Sequence, residues 1–154
     1  MMARVPEDTF TAYLEQVRAH RAELRESVAA VDDALVDLHE RDDWIQRLHT
    51  ALVELAHDFA DHVDLTERPG GLYDTVRASE SRLTAAVDRL TDDHVSLRSE
   101  IARVIGSLER SSADHEPHVV RDELSGLVQR LVRHRQRGGE LVYEAFAVDL
   151  GGSG

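Results

Sequence analysis

Residues 83–108, LTAAVDRLTDDHVSLRSEIARVIGSL, decide the fold. Leu83, Val87, Leu90, His94, Leu97, Ile101, Val104 and Leu108 recur at alternating spacings of four and three. That period returns side chains to one face of an α-helix, whereas a strand alternates faces every residue. One member of the stripe is not apolar. Burying His94 costs free energy unless its ring nitrogens find partners, so this helix raises the question of what the imidazole meets.

The same period continues on both sides. Ile45, Leu48, Leu52, Leu55, Phe59, His62 and Thr66 form a second stripe, and Val120, Leu124, Leu127, Leu131, His134, Gly138, Leu141 and Ala145 a fourth. The first helix carries Tyr13, Val17, His20, Leu24, Ser27, Val31, Ala34 and Leu38. A competing, more apolar stripe runs through Phe10, Leu14, Val17 and Arg21, which would leave His20 flanking the seam. Alternating β-branched runs and Asn-Gly turns are absent. The connections HERDD (39–43), RASES (77–81) and ERSSADHEPH (109–118) are short and polar. Long amphipathic helices joined this way predict an all-α, up-down-up-down antiparallel four-helix bundle. It is expected to fill residues 1–150 as one domain, with GGSG (151–154) as a flexible tail.

Composition limits the partners. A formal charge of −12 disfavours nucleic acid and anionic membranes, which repel an acidic surface. The cluster Arg130, Arg133, Arg135 and Arg137 is read as a solvated helix face. With no cysteine in the chain, disulfides, zinc–thiolate sites and thiol catalysis are excluded. No apolar run reaches membrane-spanning length, and MMARVPEDTF lacks a signal-peptide core, so the expectation is a cytoplasmic protein, monomeric or homodimeric. No serine sits on a strand-to-helix elbow, and neither glycine pair has phosphate-loop spacing.

Each helix places one histidine on or beside its inward stripe: His20, His62, His94 and His134. In an antiparallel hairpin, residues equidistant from the turn lie level, because both helices rise equally per residue. The midpoints of successive pairs are Arg41, Ala78 and Asp114, and each falls in an expected connection. The four imidazoles are therefore expected to form one layer, whose nitrogens a metal would satisfy. The other five histidines fall in loops or off the seam.

The pattern of one inward histidine per helix, with HVDLTERPGGLYD (62–74) and RHRQRGGELVYEAF (133–146), resembles the hemerythrin-like (HHE cation-binding) family in its actinobacterial form. The resemblance covers nearly the whole chain. It implies a four-helix bundle with a non-haem diiron centre that binds or turns over dioxygen, peroxide or nitric oxide. By resemblance, His20, His62, His94 and His134 take the places of the helix histidines. The family's bridging HxxxE carboxylates are missing, since the fourth residue after His62 is Thr66 and after His134 is Gly138.

Both histidines are followed by helix breakers, ERPGG (67–71) and GGE (138–140). A distortion there could swing Glu67, and less readily Glu140, inward as a ligand. Alternatively, ERPGG is a kink between two helix halves. On an ideal helix Glu67 lies about 140° round from His62. His57/Asp61 has HxxxD spacing but falls off the stripe. Tyr73, Tyr143 and Trp44 could sit near the layer, although Tyr143 turns away on a regular helix, while Glu144 lies too far along it to share a metal with His134. Zinc suits the same imidazoles. A haem between facing histidines, or a metal-poor sensor or protein-interaction module, are the alternatives.

Overall fold

A computed structural model of the chain describes residues 7–36, 38, 42–110 and 115–147. Four long helices carry most of them: α1 (Glu7–Val36), α2 (Trp44–Glu67), α4 (Thr84–Glu109) and α5 (Pro117–Phe146). A short helix, α3 (Leu72–Ser79), and a 3-10 turn (Ser81–Leu83) stand between α2 and α4. There is no strand among the described residues. No described helix is long and apolar enough to cross a membrane. The 151–154 tail lies outside the described residues, as do Arg41 and Asp114.

Each long helix packs against two others, α1 on α2, α2 on α4, α4 on α5 and α5 on α1, which closes a ring around the interior. The core divides into two clusters. One gathers Leu24, Val31, Leu48, Leu52, Leu55, Phe59, Leu97, Ile101, Leu124 and Leu131. The other gathers Leu14, Val17, Leu65, Leu72, Val76, Val87, Leu90, Leu141 and Val142. On each of three helices one histidine marks the boundary: His62 lies between Phe59 and Leu65, His94 between Leu90 and Leu97, and His134 between Leu131 and Leu141. All three imidazoles are buried. On α2, α4 and α5 the stripes read from the sequence are thus the buried faces.

Two elements differ from expectation. On α1 the buried face runs through Leu14, Val17, Arg21, Leu24 and Ser27, and His20 flanks it. The more apolar of the two competing stripes wins because burial free energy scales with apolar area. Among the α5 arginines, Arg130, Arg133 and Arg137 are exposed, whereas Arg135 is buried and so is not part of a solvated face.

The two glycine-containing breakers behave differently. At ERPGG the helix stops. Arg68 leaves the helical region (φ −57°, ψ 149°), as expected for a residue before proline, and Gly70 takes a positive φ of 72°. The chain restarts as α3, so this is a full break. At GGE the helix continues, with Gly138 and Gly139 inside α5. Glycine lowers helix propensity by about 1 kcal/mol but leaves every backbone hydrogen bond intact, whereas proline removes one.

Tyr13 of α1 holds the break closed. Its hydroxyl donates to the Leu65 carbonyl at 2.7 Å and accepts the Leu72 N–H, also at 2.7 Å. A Cβ on Gly71 would lie 2.8 Å from the Arg68 carbonyl and 3.1 Å from the same phenol oxygen, so the turn is tight around it. Tyr13→Phe is expected to lower unfolding free energy by about 1–3 kcal/mol, the cost of leaving part-buried backbone groups without partners. Urea unfolding checks this, and a variant as stable as the parent would show that the phenol does not secure the α2–α3 turn.

Candidate metal centre

α2, α4 and α5 bring His62, His94 and His134 together. One ring nitrogen from each lies within 4.8 Å of the others, and the group can hold a metal ion. Ring centroids are 5.0 Å apart for His62–His94, 5.5 Å for His62–His134 and 4.8 Å for His94–His134. Phe59, one turn before His62, lies with its centroid 5.7–6.1 Å from all three rings and joins them to the larger core cluster.

The outer nitrogens are held by carboxylates. His94 Nδ1 lies 2.6 Å from Glu67 Oε2, and His134 Nδ1 lies 3.1 Å from Asp93 Oδ2. A carboxylate only accepts, so both Nδ1 atoms carry the proton and both Nε2 atoms keep a lone pair directed inward. Such outer partners set the tautomer and orientation of metal-binding histidines. Inside, His134 Nε2 lies 3.3 Å from His62 Nε2, and His94 Nε2 lies 3.2 Å from the Tyr73 hydroxyl.

Burial keeps the rings neutral. Desolvation, with repulsion from His94, His134, Arg21 and His20, holds His62 well below the usual imidazole range. Desolvation and His134 push His94 down to about 3, against the pull of Asp93. Desolvation also lowers His134, opposed by its bond to Asp93. Partial burial raises the Glu67 carboxyl, offset by Arg77 and Arg98. Three neutral imidazoles are the protonation state that a cation needs.

The remaining expected residues fall as follows. His20 stays outside the triad, with its side chain 28% exposed and its Nδ1 3.8 Å from Glu23. Glu67 does face the layer, and it does so across to α4, as the acceptor for His94 rather than as a member of the converging group. Glu140 is exposed. Thr66 donates back to the His62 carbonyl at 2.8 Å. A Cβ on Gly138 would lie 3.6 Å from the buried Arg21 guanidinium, whose Nη1 donates to the Arg135 carbonyl. Those two positions therefore supply no carboxylate to bridge a second ion, and the donor set fits one ion better than two.

His57, Asp58 and Asp61 also cluster, but on the outside of α2, with His57 exposed. Tyr143 is exposed, and Trp44 packs against the larger core cluster. Asp93 was not read from the sequence as part of the site, although the adjacent pair Asp93–His94 was visible. Comparison with known proteins finds no matching family model, no matching curated protein and no matching solved structure.

The depressed histidines make stability depend on pH. An unfolded imidazole binds its proton near pH 6.5, whereas the buried ones resist protonation until well below that. Their contribution is fully present above about pH 6.5 and is lost as pH falls toward the folded values. Thermal melts of metal-free protein are expected to show a falling Tm between pH 6.5 and 4. Imidazole NMR should show His94 titrating at about 3. A His94 resonance that titrates near 6.5 would contradict the burial.

Proposed function

We propose that this chain is an up-down-up-down antiparallel four-helix bundle that binds one transition-metal ion through Nε2 of His62, His94 and His134. The bundle reading is supported by the order of the two core clusters along each helix. The sequence passes from the larger cluster to the smaller along α2 and α5, and in the opposite sense along α1 and α4. The metal reading is carried by one observation: buried, neutral imidazoles converge while Glu67 and Asp93 hold the outer nitrogens of two of them.

A metal here would supply a Lewis-acidic centre. Phe59 would form an apolar wall beside it, and Arg21 would place a positive charge near His62 and His134. Imidazole donors suit iron, zinc, copper and nickel alike. The resemblance to hemerythrin-like proteins makes iron the first ion to test, and dioxygen, peroxide or nitric oxide the first ligands. Haem is supported less well, because ring centroids 4.8–5.5 Å apart leave no width for a macrocycle between the imidazoles. A metal-free sensor or interaction module is the second reading, favoured by the pairing of His62 with His134 and of His94 with Tyr73, which closes the layer by hydrogen bonds alone.

Titration of metal-free protein with Co(II) or Fe(II) is expected to saturate at about one ion per chain. Glu67→Gln and Asp93→Asn should each weaken binding about 10–100-fold, the usual cost of losing an outer partner. Full-strength binding after His62→Ala and His134→Ala together would sink the assignment, and an absence of any binding would favour the metal-free reading.

A further inference from the structure

We infer that the Tyr73 phenol oxygen is the fourth protein ligand of this centre, making it a three-histidine, one-phenolate site suited to ferric iron. The inference rests on the three-histidine reading and extends it. Tyr73 stands on α3, directly after the Pro69–Gly71 break, and only 3% of it is exposed. Its ring stacks on His94, with centroids 5.6 Å apart and planes 20° from parallel. Its hydroxyl reaches the inward nitrogen of His94 rather than the carboxylate-bound one.

The spacings carry the assignment. Four donors about 2.0–2.1 Å from a tetrahedral ion lie about 3.3 Å from one another. His62 Nε2 and His134 Nε2 are already 3.3 Å apart, and Tyr73 Oη and His94 Nε2 are 3.2 Å apart. Each pair has the length of one edge of such a tetrahedron, and the four residues come from α2, α3, α4 and α5. Closure of the two pairs on one ion would complete it, and the three imidazole donors already lie within 4.8 Å of one another.

Charge favours a trivalent ion. Phenolate is a hard, anionic donor, and Glu67 and Asp93 add two negative charges behind the imidazoles. Together the three offset +3. On binding, the Tyr73 O–H bond breaks, an O–Fe bond forms, and the proton is released to solvent, with no change in the oxidation state of iron.

Metal-free protein loaded with ferric nitrilotriacetate tests this directly. The parent protein is expected to bind about one iron per chain, to show a visible phenolate-to-iron charge-transfer band and to give phenolate modes in resonance Raman spectra. Tyr73→Phe should fold, as read by circular dichroism, and lose the band entirely. Iron bound by the parent without the band or the phenolate modes would overturn the tyrosine assignment while leaving the histidine centre standing. A band that survives in Tyr73→Phe would overturn it too, since the other two tyrosines, Tyr13 and Tyr143, lie at the α2–α3 turn and on the surface. No iron in the parent would overturn the tyrosine ligand, and a parallel Co(II) titration then separates the two readings: about one cobalt per chain leaves the histidine centre standing, and none overturns it as well.

Discussion

The hydrogen bonds from His94 Nδ1 to Glu67 and from His134 Nδ1 to Asp93 are the constraint on which the rest of the interior depends. They decide which nitrogen of each ring carries a proton, and so which one faces inward with a lone pair. Without them either tautomer would be open to His94 and His134, and the inward turn of their lone pairs would have no chemical direction. They also anchor α2 to α4 and α4 to α5 at one height, because the donor and acceptor of each bond belong to different helices.

That anchoring has an energetic consequence. A layer of three imidazoles between two apolar clusters forfeits hydrophobic burial that leucines would have supplied. Hydrogen bonds offset part of the loss, and desolvation holds the rings neutral so that no uncompensated charge is buried. Arg21, a buried cation on α1, lies beside Gly138 and Gly139. Two residues without side chains leave the space that the guanidinium fills. A larger residue at Gly139 would crowd it, since a Cβ there would already lie 3.2 Å from Arg21 Nη2. The glycines of α5 thus serve packing against α1 instead of breaking the helix.

The break between α2 and α3 serves the same layer from the other side. Ending α2 at Glu67 leaves that carboxylate free of a following turn and directs it to His94. Restarting the chain at Leu72 then brings Tyr73 over the same ring. Proline, a left-handed glycine and the Tyr13 phenol each contribute to one tight turn that places two functional groups on a single imidazole.

Helical periodicity alone determined the four long helices, the buried faces of α2, α4 and α5 and the inward placement of His62, His94 and His134, because burial repeats with the geometry of the helix and is written directly into residue spacing. It also exposed the loss of acidic side chains at Thr66 and Gly138. The azimuth of α1 was another matter: two stripes competed there, and only packing of the whole ring turned Arg21 inward and left His20 at the edge. Nor can periodicity describe an irregular turn. The inward reach of Glu67 and the position of Tyr73 depend on backbone angles at Arg68 and Gly70 and on the Tyr13 phenol 52 residues away along the chain from Leu65. Asp93 was hidden for a related reason, since its partner His134 lies 41 residues away on another helix. Contacts across helices carry no local signature, so tertiary structure alone decided which side chains complete the layer.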